Sequence, residues 1–257
     1  MTVALDKTII YPDSDGQPMA DNTKQFRWIV LIKENLDSLF ADDETVFIAG
    51  DLLWYPVEGR PDIRVAPDVL VAFGRPKGDR GSYRQWQEGN IAPQVVFEIL
   101  SPGNTIKEMS RKLLFYNRHG VEEYYIYDPD DNELMGFTRT EAELMPVDNM
   151  DNWVSPRLGI RFELTPSILN IYDGQNNLFL SPLELRKRLN QEQQRSEQEK
   201  VRAEQEKVRA EQEKARAEQE KARAEQEKAR AEQEKARADR LEAQLRKLGI
   251  APDDMSS

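Results

Sequence analysis

The spacing of apolar positions changes several times along the chain. From residue 22 to 41, Phe26, Ile29, Val30, Leu36, Leu39 and Phe40 fall on one face at helical spacing. The segments 45–55 (TVFIAGDLLWY) and 67–73 (PDVLVAF) then carry the β-branched and aromatic content of strands, with Gly50 placed to mark a bulge. Residues 93–102 (PQVVFEILSP) form an almost continuous apolar run, as a strand does when both sheet faces are covered. Between the last two lies a polar stretch, 74–92, rich in Gly and Arg, which predicts a long loop.

A second helix is predicted from Asn104 or Thr105 to His119. Thr105 and Glu108 have the spacing of a capping box, and Gly120 supplies the stop. Residues 122–128 (EEYYIYD), a turn at 129–132 and Glu133–Arg139 predict a hairpin. Shorter strands are expected near 141–147 and 158–164, and Pro166 and Pro182 punctuate the exit.

Beyond that point the pattern is a heptad. From Glu197 the units read EQEKVRA and then EQEKARA, each with two Glu, one Lys and one Arg. This predicts a long charged helix over 184–248. Glu211 with Lys214, and Glu213 with Arg216, stand three apart with the acid first, the favourable order. The alanines fall two and five apart, as at Ala215, Ala217 and Ala222, rather than alternately three and four apart as a coiled-coil seam needs. The first reading is a solvated single helix, with a loose alanine-lined coiled coil and then disorder as the alternatives. Leu185 with Leu189, and Leu241, Leu245 and Leu248, form short stripes suited to a protein partner, another copy or the core. The organisation expected is an N-terminal arm over 1–19, one domain over 20–180, the helix over 184–248 and a flexible tail over 249–257.

Composition narrows the chemistry. The chain has no cysteine, which excludes disulfides, thiolate metal sites and cysteine nucleophiles and fits a reducing compartment. No apolar run is long enough to span a membrane, and the N-terminus lacks the basic-then-apolar order of a signal peptide, so a cytoplasmic protein is expected. Residues 1–183 carry 17 basic against 29 acidic groups, while the remainder carries 19 against 18. An acidic domain argues against nonspecific duplex binding over a broad surface and leaves room for a local basic groove.

Two carboxylates interrupt the apolar strands. Asp68 precedes Val69-Leu70-Val71, and Glu98 sits within Val95–Leu100. Burying either unpaired costs several kcal/mol, or the group takes up a proton. Taken singly, each reads first as a structural acid bonded to a turn or an arginine. Taken together on neighbouring strands, they suit a hard divalent cation, which accepts one or two carboxylates and keeps positions for water and phosphate. Lys112 shares a helix face with Met109, Leu113 and Tyr116, so it points towards the sheet. Its ammonium either snorkels to water or stands beside the two acids. Lys107 lies on another face, and Arg111 faces solvent. Asp51 is a candidate supporting acid. In the loop 74–92, Arg75, Lys77, Arg80 and Arg84 alternate with Tyr83 and Trp86, a mixture that suits nucleic acid as well as it suits a solvated loop. His119 reads as a cation capping its helix.

The segments Gly50–Tyr55, Ala66–Val69 and Val96–Pro102, with Lys112, Tyr116 and Gly120–Tyr125, together resemble the Uma-type restriction endonucleases. The resemblance spans about residues 20–175 and implies a branch of the PD-(D/E)xK nuclease fold, a central mixed β-sheet flanked by helices. Pro67-Asp68 matches the PD element and Glu98 the second acid. The motif places lysine two residues after that acid, where this chain has Leu100, so the resemblance assigns the lysine to Lys112 of the following helix. It also implies the Ile99 carbonyl as a further metal ligand, Mg²⁺ or Mn²⁺ as cofactor and DNA as substrate. The function expected is a metal-dependent DNA endonuclease. The alternative is a catalytically inactive nuclease-fold module that binds protein or nucleic acid, with the C-terminal helix mediating assembly.

Overall fold

A computed structural model describes residues 9–14, 16 and 19–247. Most of the arm expected over 1–19, together with Leu248 and the tail 249–257, lies outside the described residues. The chain divides into two compact units, Met1–Arg186 and Lys187–Ser257.

The first unit is built on a six-stranded mixed sheet. Its strands are β1 (Val46–Gly50), β3 (Val69–Phe73), β5 (Val95–Ile99), β6 (Glu123–Asp128), β7 (Glu133–Thr140) and β8 (Glu143–Pro146), in that spatial order. The β5–β6 pair is parallel and the other neighbours are antiparallel. The parallel pair requires a crossover, and the helix α2 (Ile106–His119) supplies it. The helix α1 (Thr23–Leu39) precedes the sheet, capped by the Asn22 side chain, which accepts from the Lys24 and Gln25 amides.

Alternation along the strands sorts the core into two layers. Val69, Val71, Val95, Phe97 and Ile99 face α1, packing against Trp28, Ile29, Ile32 and Leu36. A small antiparallel pair, β9 (Arg161–Leu164) with β10 (Leu169–Tyr172), adds Phe162, Leu169 and Ile171 to that layer. Leu70, Ala72, Val96, Tyr124 and Ile126 face the other way, onto Tyr116 of α2. Each buried Val, Leu, Ile or Phe among them contributes about 1.5–3 kcal/mol. Both faces being covered explains why the sequence of β3 and β5 reads as an almost continuous apolar run, broken only by Glu98.

Along α1 the buried residues are Gln25, Trp28, Ile29, Ile32 and Leu36, so Phe26 of the predicted face is exposed, and the structure departs from the predicted strand and loop pattern in three further places. The single strand expected over 45–55 breaks after Gly50, where Asp51 takes a left-handed φ of 48°, and resumes as β2 (Trp54–Tyr55). The loop 74–92 holds β4 (Tyr83–Arg84), parallel to β2, and a 3₁₀ turn over Gln85–Glu88. The strand β10 is additional to the strands that the sequence pattern predicts.

Helix α3 runs from Pro182 to Lys247, 66 residues. Pro182 sits at the first helical position. Ser181 and Glu184 close a reciprocal capping box, the Glu184 amide donating to Ser181 Oγ at 3.3 Å and the Ser181 amide donating to Glu184 Oε2 at 2.9 Å. None of the helix's described residues is buried. Its ion pairs include Arg188–Glu192, Arg195–Glu199 and Glu242–Arg246, each four residues apart. The three-residue pairs expected within the repeat do not close to ion-pair distance. Among the described residues, no helix is long and apolar enough to cross a membrane.

Candidate functional site

The register of the sheet brings Asp68 and Glu98 together. The antiparallel β3–β5 ladder ends with Val69 opposite Phe97, and the next step sets Asp68 beside Glu98. Both point towards the layer occupied by α2, and both are buried, at 8% and 2% exposure. Asp68 Oδ2 accepts the Ile99 amide at 2.6 Å, so it caps the end of its neighbour strand. The Asp51 amide donates to the Asp68 carbonyl at 3.2 Å and carries the ladder from β1 up to the same point.

Helix α2 closes the site. Thr105 caps it by accepting the Glu108 amide, and Gly120, at φ 92°, ends it in the left-handed conformation that a stop of this type requires. This fixes the rotation of the helix so that Lys112 and Tyr116, one turn apart, face β5. Lys112 Nζ donates to Glu98 Oε2 at 2.8 Å, and Tyr116 Oη donates to Glu98 Oε1 at 2.5 Å. The two oxygens of one carboxylate are thus divided between an ammonium and a phenol.

The electrostatics follow from burial. Desolvation and the charge of Glu98 push the Asp68 carboxyl up to about 8, against the pull of the Ile99 amide and Lys112. Desolvation alone lowers the Lys112 ammonium, but Glu98 and Asp68 outweigh it and hold the group above its usual value. Burial and Glu98 raise the Tyr116 phenol well above its ordinary range. Tyr116 therefore stays a proton donor, and Lys112 a cation, throughout the neutral range.

Two acids face one ammonium here, so whenever Asp68 gives up its proton the site is short of positive charge. A divalent cation fits that deficit. The donors that converge are the carboxylate oxygens of Asp68 and Glu98, hard ligands of the kind that Mg²⁺ and Mn²⁺ accept. The Tyr124 hydroxyl, buried without a hydrogen-bond partner, lies in the field of Glu98, Asp68 and Glu108. Among the described residues no cluster of three acids or histidines converges anywhere, so such an ion would rest on two carboxylates and complete its shell with water or phosphate.

The Ile99 carbonyl has a partner already. Gln25, buried on α1, donates from Nε2 to that oxygen at 2.8 Å, while its Oε1 accepts the Asp21 amide at 2.8 Å. A carbonyl has two lone pairs, so one is left. Sequence reasoning misses both Gln25 and the Tyr116 contact. Tyr116 lies on the inward face of α2, but nothing in its spacing distinguishes a bond to Glu98 from core packing. For Gln25 the available signal is a polar residue among the apolar positions of α1.

Other candidates are placed differently. The cations of the loop 74–92 are committed to the fold. Arg75 and Arg80 both pair with Glu88, at 3.0 and 2.6 Å, and Lys77 caps the C-terminal end of α1 through the Phe40 and Ala41 carbonyls. Tyr83 is fully buried, and Trp86 packs on Tyr11. His119 is no capping cation. It lies against Phe115 and Trp54, where burial and then Arg118 lower its pKa. Arg139 takes the capping role instead, donating to the Asn117 and Val121 carbonyls. A further buried acid, Glu123, belongs to the opposite layer, where Tyr125 Oη, Ser155 Oγ and the Arg157 amide all donate to it.

Residues 14–170 match the model of the Uma2 family, described as "Putative restriction endonuclease". The chain belongs to this family. The Uma2 match covers the whole ladder from Asp51 to Tyr124 and stops before α3. Among solved structures, the chain is similar to a putative nuclease belonging to DUF820 from Anabaena variabilis, at 18% identity and a TM-score of 0.40, covering 55% of this chain and 74% of that one. No curated protein matches it. Membership of the Uma2 family makes this a nuclease-family chain, and the sheet with its flanking helices is the expected architecture.

Proposed function

We propose that this chain is a divalent-metal-dependent endonuclease that hydrolyses DNA phosphodiester bonds at Asp68, Glu98 and Lys112. The observation that carries the reading is the convergence of two buried carboxylates from adjacent strands with a helix-borne lysine, in a chain of the Uma2 family.

Asp68, Glu98 and the Ile99 carbonyl would hold Mg²⁺ or Mn²⁺. Such an ion, when bound, supplies Lewis acidity towards the phosphoryl oxygen and lowers the pKa of a bound water. The chain's own groups do the rest. Glu98, and Asp68 once it gives up its proton, would fix where the ion and hence the phosphate sits. Lys112 orients the attacking water or offsets charge developing on the phosphoryl oxygens, an interaction strengthened by the partly dry site. Tyr116 keeps Glu98 in place. The α1 layer, through Gln25, fixes the Ile99 carbonyl. A cytoplasmic location belongs to the same reading, since a chain built without cysteine suits a reducing compartment.

A second reading has its own support. Lys112 and Tyr116 already satisfy Glu98, and Asp68 holds a proton up to about pH 8. A site that rests so fully neutralised suits a module that binds protein or nucleic acid without cutting, with α3 mediating assembly. Cleavage of plasmid and single-stranded DNA with Mg²⁺ or Mn²⁺, wild type beside Glu98→Ala, separates the two. Metal-dependent cutting lost in the variant supports the nuclease. Absence of cutting, with no heat of metal binding to the wild type, supports the module.

A further inference from the structure

We infer that Tyr116 is a specificity-determining residue that makes Glu98 a one-oxygen ligand and so selects small, octahedral divalent ions over Ca²⁺. The inference rests on the metal reading of Asp68 and Glu98.

A carboxylate can offer a cation one oxygen or chelate it with both. Ca²⁺ takes six to eight oxygens and accepts chelation readily, whereas Mg²⁺ demands near-octahedral geometry and single-oxygen bonds. In this site Glu98 Oε2 carries the Lys112 ammonium at 2.8 Å, which repels any cation sharing that oxygen. Oε1 carries a neutral donor, Tyr116 Oη, which uses one lone pair and leaves the other. Oε1 is thereby the oxygen that Glu98 would offer an ion.

Tyr116 is built to hold that geometry. It is fully buried, and its ring is stacked against Trp54 with an interplanar angle of 2°. Phe115 and Tyr124 contact it edge-on from two further sides. Trp54 is anchored in turn by its indole N–H, which donates to Gln85 Oε1 at 3.1 Å. The phenol cannot follow the carboxylate if it rotates, so rotation towards chelation breaks the hydrogen bond. Tyr116→Phe keeps the ring and its packing and removes only this restraint.

The test is calorimetric titration of the full chain with Mn²⁺ and, separately, with Ca²⁺, wild type beside Tyr116→Phe. The wild type is expected to prefer Mn²⁺, and the variant's Mn²⁺-over-Ca²⁺ preference is expected to fall by about tenfold, because selectivity between such ions depends on ligand number and flexibility. A merely structural role would weaken both ions alike and leave the ratio unmoved. An unchanged ratio with binding intact overturns the role of Tyr116 and leaves the Asp68–Glu98 metal site standing. A wild type that takes Ca²⁺ as tightly as Mn²⁺ overturns the inference even if the variant does not fold. A wild type that binds neither ion removes the metal reading and this inference together.

Discussion

Lys112 Nζ lies 2.8 Å from Glu98 Oε2, though fourteen residues separate the two along the chain. The lysine of the short motif would stand on the same strand as its acid, two residues on. Here a crossover helix delivers the ammonium from the layer above the sheet. The charge arrives at the acid while Leu100, in the strand position, is free to pack among apolar neighbours.

Under the proposed function, Lys112 would have two separable effects. Lys112→Met removes the cation from Glu98 and is expected to lower DNA cleavage by about 10²–10³-fold, the scale of losing one charge-stabilising group. The same change is expected to tighten Mn²⁺ binding, because the ion no longer competes with an ammonium. Opposite movement of the two quantities, measured by a plasmid assay and by calorimetry, is the signature. Weaker Mn²⁺ binding in the variant would contradict it.

Glu98→Ala is expected to cost stability as well as activity. It leaves Lys112 partly buried without its carboxylate and strands the fully buried Tyr116 hydroxyl. A loss of about 3–5 kcal/mol is expected in urea denaturation, the scale of breaking a buried pair from one side. Glu98→Gln retains an acceptor for Tyr116 and should cost less while still abolishing cleavage.

Asp68 gives the domain a pH dependence of defined sign. Its carboxyl titrates near 3.8 when unfolded and near 8 when folded. Between those values the folded chain keeps a proton that the unfolded chain has released. This group's contribution to stability is therefore greatest below about pH 4, declines as pH rises towards 8 and is flat above. Asp68→Asn should abolish that decline and be more stable than the wild type at pH 9, by about 1–3 kcal/mol. Divalent-ion affinity of the wild type should rise from pH 6 to 8, with proton release on binding. An affinity that is flat over that range would count against Asp68 as a ligand.

Glu123 provides the contrast. It is as buried as Glu98, but its three donors come from Tyr125, Ser155 and the Arg157 backbone. Glu123→Ala is expected to destabilise by about 2–4 kcal/mol and to leave Mn²⁺ affinity unchanged in whatever fraction folds. A changed affinity would join this acid to the site.

Helix α3 carries a prediction independent of all of these. With no apolar seam, a peptide covering 187–247 is expected to be helical and to sediment as a monomer at about 100 μM, a concentration at which sound coiled coils associate. A dimeric mass would favour the alanine-lined alternative.

Much of this site is legible in the sequence, for identifiable reasons. Asp68 and Glu98 stand out because a charge inside an apolar strand must be answered by something. Lys112 stands out because a helix face with Met109, Leu113 and Tyr116 has only one direction to point. The strand break at Asp51 is hidden, since the segment 45–55 has strand composition throughout and a left-handed aspartate leaves no pattern. The loop 74–92 misleads because composition gives the number of cations but not their partners. Arg75 and Arg80 look free until the fold brings Glu88 between them. Glu123 escapes notice at the edge of its strand, where an acid is ordinarily solvated. Its donors come partly from residues some thirty positions away, and no local spacing predicts them.

The heptads of α3 have a consequence for how such a chain can vary. Seven residues make almost two helical turns, so gaining or losing one unit changes the helix length by about 10 Å and rotates its far end by only about 20°. Because each unit is electrically neutral, the change leaves net charge untouched. The helix is in effect a ruler with evenly cut divisions, adjustable in length by repeat number with almost no change in heading.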